Sequence, residues 1–178
     1  MTWAAGFVSE GLVELLAGDL EVAEKKLRRA YERTTRAGGT GPAASLAALL
    51  ARTHLEQGRD DDALAMAKAC RKMSSKAQLD MRLKPRSVRA VVLARNGRLR
   101  AAERLARRVV AAAGHSEQID SQVDAWYALA QVLTMAGHEA EAREAAEEAL
   151  ERCRAKGNKV SAETIGAFLD GLGATSAA

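Results

Sequence analysis

An all-α fold of four long antiparallel helix pairs closed by a C-terminal capping helix is predicted from three observations. Ala, Leu, Glu, Arg and Lys dominate the 178 residues, aromatics make up 3% and proline occurs twice. Such residues lose little entropy in a helix, and almost nothing here breaks one. Valine and threonine are too scattered to form alternating strands. The third observation is a repeat. The skeleton of "AGHEAEAREAAEEAL" (Ala136 to Leu150) recurs in "AGDLEVAEKKLRRAY" from Ala17, "QGRDDDALAMAKACR" from Gln57 and "NGRLRAAERLARRVV" from Asn96. Each copy has a glycine, an alanine five residues on, and small or apolar residues nine and twelve on. The glycines are Gly18, Gly58, Gly97 and Gly137, spaced 40, 39 and 40 apart, a period that signals stacked helical repeats.

The glycine spacing sets the elements. Helices about 3–17 and 19–37 form the first pair, then 43–57 with 59–75, 80–96 with 98–113, and 118–136 with 138–156. A ninth helix over about 159–171 caps the chain. A single domain over 1–178 follows, with repeats near 1–38, 42–76, 79–114 and 117–157 and a cap at 159–172. Glycine suits each hairpin turn because it alone takes the left-handed conformation there without penalty. The stretches "AGGTGPAAS", "MSSKAQ", "GHSEQ" and "KGNK" carry the breakers expected between pairs. Pro42 falls where a first helical turn tolerates it. Pro85 either delays its helix or kinks it. Ala23, Ala63, Ala102 and Ala142, each five residues past a glycine, are small because two helices cross closely just beyond a tight turn.

Chemistry is sparse. His54, His115 and His138 lack a second ligand at metal spacing, and Cys70 and Cys153 are 83 residues apart, so no metal site is expected and the thiols are taken as buried. "GGTGPAAS" lacks the lysine and preceding strand of a phosphate loop. The aspartates of "RDDDA" are accounted for by the helix dipole. No catalytic residue and no cofactor is expected, so the chain is read as not an enzyme. No apolar run is long enough to span a bilayer. The start, "MTWAAGFVSEG", has no basic segment of a signal peptide, so a cytoplasmic location is expected.

"DAWYALAQVLTMAGHEAEAREAAEEALERC" resembles a tetratricopeptide repeat. Trp126, Leu129, Gly137, Ala142 and Ala149 stand where that motif places its tryptophan, first leucine, turn glycine and two alanines, while Ala130, Leu133 and Ala146 depart from its usual residues. The resemblance covers essentially the whole chain and implies a right-handed superhelix. More narrowly, "GDLEVAEKKLRRAYE", "RSVRAVVLARNGRLRAAERLARRVVAAAG" and "DAWYALAQVLTMAGHEAEAREAAEEALERCRAKGN" are similar to the helical-repeat tails of multidomain bacterial adenylate/guanylate cyclases and large ATPase-containing transcriptional regulators. Their catalytic and ATPase modules have no counterpart here, so no activity carries over.

That resemblance implies protein–protein interaction through a concave groove lined by the first helix of each pair. The groove candidates are Arg52, Glu56, Ser87, Val91, Arg95, Tyr127, Gln131, Thr134 and Met135. A carboxylate clamp is not among them, since the equivalent places hold Val8, Ala48 and Leu12. Charge adds a second candidate. Between Arg82 and Arg108 there are ten basic residues and one acid, and between Glu139 and Glu151 six acids and one base. Arg100, Arg104, Arg107 and Arg108 share a face opposite Ala102, Leu105, Ala106 and Val109. This basic patch is read as a solvated face or as a site for an acidic protein surface. Nucleic acid is a distant alternative, because no aromatic is interleaved with the arginines.

The ends differ. Ile165, Phe168, Leu169 and Leu172 are expected to face inward from the capping helix, with Glu163, Thr164 and Asp170 in water. The first helix is apolar nearly all round, and Trp3, Phe7 and Leu12 are expected to present an exposed face. Upstream sequence, a second copy or a partner would cover it. Two readings result: the regulatory tail of a larger signalling protein, or a stand-alone homodimeric adaptor.

Overall fold

The computed structural model describes residues 19–75 and 78–175. Within them lie eight helices and no strand: α1 (Leu20–Arg36), α2 (Thr40–Glu56), α3 (Asp60–Met73), α4 (Leu79–Arg95), α5 (Leu99–Ala113), α6 (Ile119–Met135), α7 (Glu139–Lys156) and α8 (Lys159–Thr175). The expected first helix, Gly18 and the Trp3–Phe7–Leu12 face lie outside the described residues. The helices gather into two compact units, Met1–Val88 and Arg89–Ala178.

One turn recurs. Gly38, Gly58, Gly97, Gly137 and Gly157 all have φ between 73° and 79°. At Gly137, which closes α6, the amide donates to the Thr134 carbonyl at 3.0 Å and the His138 amide to the Leu133 carbonyl at 2.9 Å. The same pair of bonds closes α1, α2, α4 and α7, satisfying carbonyls that a helix end otherwise leaves open. The residue after each glycine is also the cap from which the next helix starts. At Arg59, Arg98 and His138 that residue makes no side-chain capping bond. The glycine turn, not a capping side chain, therefore fixes where those helices begin.

That common start aligns the packing. Ala23, Ala63, Ala102 and Ala142 are all fully buried. Nine residues past the glycines, Leu27, Ala67, Ala106 and Ala146 are buried, and twelve past them so are Ala30, Cys70, Val109 and Ala149. In the first unit, Leu27, Ala30, Leu46 and Leu50 form one cluster joined by Tyr31, Leu49 and Met66. Fully burying a leucine contributes about 1.5–3 kcal/mol. In the second unit, α8 buries Ile165 and Leu172 and leaves Glu163, Thr164 and Asp170 exposed, with Phe168 and Leu169 half-buried.

Pro85 neither delays α4, which begins at Leu79, nor ends it. Proline lacks the amide that would bond the carbonyl four residues back, at Met81. Another donor stands in for it: the Cys70 Sγ donates to the Met81 carbonyl at 3.5 Å. Ser74 in turn donates to the Cys70 carbonyl at 2.7 Å. Burial pushes the Cys70 thiol above its ordinary pKa, and Ser74 and Lys84 only partly offset this. The thiol thus stays protonated and able to donate. Cys70→Ala is expected to cost about 1–2 kcal/mol in denaturant unfolding. With Pro85→Ala, which restores the amide, that cost is expected to fall by about 0.5–1 kcal/mol. Additive effects of the two substitutions would show that the thiol does not serve the carbonyl.

Candidate interaction surfaces

The first helices of the pairs present uneven faces. On α2, Arg52 and Glu56 both reach solvent and pair with each other at 2.8 Å. On α6, Gln131 and Met135 are half-buried, and the Thr134 hydroxyl donates to the Ala130 carbonyl of its own helix at 2.9 Å. Tyr127 is engaged within the chain: its ring meets Phe168 of α8 edge-on, with centroids 5.5 Å apart. On α4, Arg95 is exposed, but Ser87 and Val91 are 6% and 1% exposed and belong to the core. The tetratricopeptide resemblance, which lines the groove with the first helices, is what makes them groove candidates. That resemblance fixes a residue's helix without fixing what covers it. α4 exposes Arg82, Arg86 and Arg89 instead. Their spacing of four and three residues already marks one helical face.

The basic patch is displayed as its helical phase requires. Arg100, Arg104, Arg107 and Arg108 of α5 are exposed, while Ala102, Ala106 and Val109 are buried on the opposite side. The four are not equivalent. Arg107 bonds Glu103 of its own helix at 3.0 Å and Glu141 of α7 at 2.6 Å. These bonds hold the Glu141 carboxyl below its ordinary pKa and raise that of Arg107. His138 Nδ1 lies 3.8 Å from Glu103 on the same seam.

The first unit has the same clasp at the same repeat positions. Glu24 of α1 takes the place of Glu103, and Arg28 that of Arg107. Arg59 and Asp62 take the places of His138 and Glu141. Arg28 bonds Glu24 at 2.6 Å and Arg59 bonds it at 2.7 Å. Arg59 also bonds Asp62 at 2.6 Å, and Gln57 donates to Glu24 at 3.0 Å. Buried His54 faces the cluster, its Nδ1 3.2 Å from Gln57 Oε1. At the corresponding positions between the second and third repeats stand Leu64, Lys68, Arg98 and Ala101, which include no carboxylate. Sequence reading missed the clasps, although a Glu followed by an Arg four residues on, twice at one repeat position, was their visible trace.

In α6 and α7, Arg152 lies over the Trp126 ring at 5.3 Å and donates to Gln122 at 3.2 Å. Gln122 donates in turn to the Ser116 carbonyl at 2.8 Å, so the motif tryptophan belongs to a tie between the paired helices. Among the described residues, no group of three or more His, Cys, Asp or Glu could hold a metal ion. Nor is any described helix long and apolar enough to cross a membrane.

Desolvation alone would raise the Glu24 pKa, but the Arg28, Gln57 and Arg59 donors outweigh it and hold the carboxyl at about 2 against an ordinary 4.5. A depressed folded pKa stabilises above the unfolded value and loses that stability as pH falls through the folded one. Glu24→Gln is therefore expected to cost about 1–2 kcal/mol at neutral pH, with the figure reduced for partial solvent screening. It is also expected to flatten the stability loss of the parent between pH 4.5 and about 2. Parallel pH profiles for the two proteins would show that the clasp carries no such linkage.

The tetratricopeptide repeat family matches residues 7–76 and again residues 88–158. Among solved structures the chain is similar to a Podosopora anserina protein described as a kinesin light chain with nearly identical TPR-like repeats, at 16% identity and a TM-score of 0.59. The similarity covers 98% of this chain and 97% of that one. A point variant of the same protein gives 16% identity and a TM-score of 0.58, over 98% and 96% of the two chains. At this identity the likeness speaks to the fold. No curated protein matches the chain. With the two matches together spanning well over half of the residues, and the turn glycines, buried alanines and paired helices where the repeat requires them, the chain belongs to the tetratricopeptide-repeat family.

Proposed function

We propose that the chain is the regulatory or sensory tail of a multidomain signalling protein of the cyclase or ATPase-regulator kind, working without catalysis by holding a protein partner. Tetratricopeptide repeats are protein-interaction scaffolds, and that much follows from the family. The observation that carries the reading is a solvent-reaching first-helix face within each unit. Arg52 and Glu56 of α2 stand on buried alanines of the first unit, and Gln131 and Met135 of α6 on those of the second. In either unit, polar and soft apolar groups on a rigid base suit contact with an extended peptide or a helix.

The tail reading draws further support from the similarity of the quoted segments to cyclase and regulator tails. It also draws on the apolar sequence around Trp3, Phe7 and Leu12, which is expected to need a cover from outside its own repeat. A second copy as that cover is the adaptor alternative.

Light scattering at about 300 mM salt, where charge contacts are screened, separates them. Polydisperse association cured by Phe7→Glu or Leu12→Glu is the outcome expected of a tail. A discrete dimer broken by either substitution would favour the adaptor, and a clean monomer at every concentration would remove the tail reading.

A further inference from the structure

The helices α5 and α7 occupy the same place in successive repeats. Ala102, Ala106, Val109 and Ala113 of α5 are buried, and so are their counterparts Ala142, Ala146, Ala149 and Cys153 of α7. Their outer faces therefore point to the same side, and the Arg107–Glu141 bond shows that they are neighbours. On those outer faces the charges are reversed position for position. Arg104, Arg107 and Arg108 on α5 correspond to Glu144, Glu147 and Glu148 on α7, with Arg100 and Glu151 extending the two stripes. Apart from half-buried Glu148, all of these are exposed. Arg100, Arg104, Arg108, Glu144, Glu147 and Glu151 have no ion-pair partner among the described residues. Of these eight, Arg107, bonded to Glu103 and Glu141, and Glu148, bonded to Arg152, are neutralised among the described residues.

We propose that this pair of stripes is a self-complementary interface for a second copy of the chain. A two-fold axis parallel to the helices lays the arginine stripe of one copy over the glutamate stripe of the other. The same operation lays its own glutamates under the other's arginines. A two-fold axis across the helices would set arginine on arginine, so charge selects the operator. Charge also selects the occupant. A polyanion on the arginine stripe would lie within about 10 Å, one helix spacing, of Glu144 and Glu147. A uniformly acidic partner would meet the same repulsion. A second copy carries both signs in the required order, and it needs no part of residues 1–18.

The test is sedimentation equilibrium of the full chain carrying Phe7→Glu, so that association through the apolar N-terminal sequence is absent. Dimers are expected at about 20 mM salt, with the dissociation constant rising at least about tenfold by 300 mM. Arg104→Glu with Arg108→Glu is expected to be monomeric, and so is Glu144→Arg with Glu147→Arg. Arg107 is left in place to keep its clasp. Mixed in equal amounts, with one variant carrying a size tag, the two are expected to form a one-to-one heterodimer, because both reversed stripes then face their opposites. Circular dichroism of each variant establishes that it is folded. A monomeric parent at low salt, dimers that survive either reversal, or folded variants that fail to pair on mixing would each overturn the proposal.

Discussion

The left-handed glycine that ends one helix and positions the next is the constraint on which the rest of the structure depends. At Gly38, Gly58, Gly97, Gly137 and Gly157 a φ near +75° lets the amides of the glycine and its successor fold back onto the helix just completed. A residue with a Cβ would be strained there. No space is lacking around any of the five, so the demand for glycine comes from the backbone and not from crowding. Because the residue after the glycine opens the next helix, the two helices of a hairpin cross at one fixed register. Alanine at the crossing follows, and so do the small residues nine and twelve positions on. Tight approach then replaces large side chains as the source of cohesion, which is how a chain with 3% aromatics builds a core.

The same register decides what the charges do. Positions facing the next repeat bring Glu24 to Arg59 and Glu103 to His138, and the i,i+4 arginines Arg28 and Arg107 complete both clasps. Positions one helical step away face solvent and are free to diverge, which they have done in sign between α5 and α7. A single hairpin geometry thus separates charges that hold repeats together from charges that remain available.

Helix ends are legible in the sequence to within about two residues for most elements, because glycine chemistry and 3.6-residue periodicity are local. The inward face of the capping helix, at Ile165 and Leu172, is legible for the same reason. What escapes depends on partners distant in sequence. Gly38 and Gly157 look like ordinary loop residues, although they repeat the hairpin turn between pairs. The tetratricopeptide resemblance places Ser87 and Val91 on a groove-lining helix, and α4 buries both in its core. The same resemblance gives Tyr127 as a groove residue and carries no trace of its contact with the Phe168 ring. The bond from Cys70 to the Met81 carbonyl cannot be read from either residue alone, since it answers an amide missing at Pro85.

The link between α5 and α6 shows what the array does without that turn. There Gly114 keeps a right-handed φ of −59°, and the Ser116 hydroxyl accepts from the Gln118 amide at 3.0 Å. At a glycine turn, one inserted residue would rotate the following helix by about 100° and swing its alanine stripe out of the crossing. The 114–118 link has no such phase to protect. Insertions and deletions over evolutionary time, and epitope tags or reporter fusions in the laboratory, therefore belong at 114–118 and not at 136–138. The array thus has an editable seam between its third and fourth repeats, and uneditable ones wherever a left-handed glycine joins two helices.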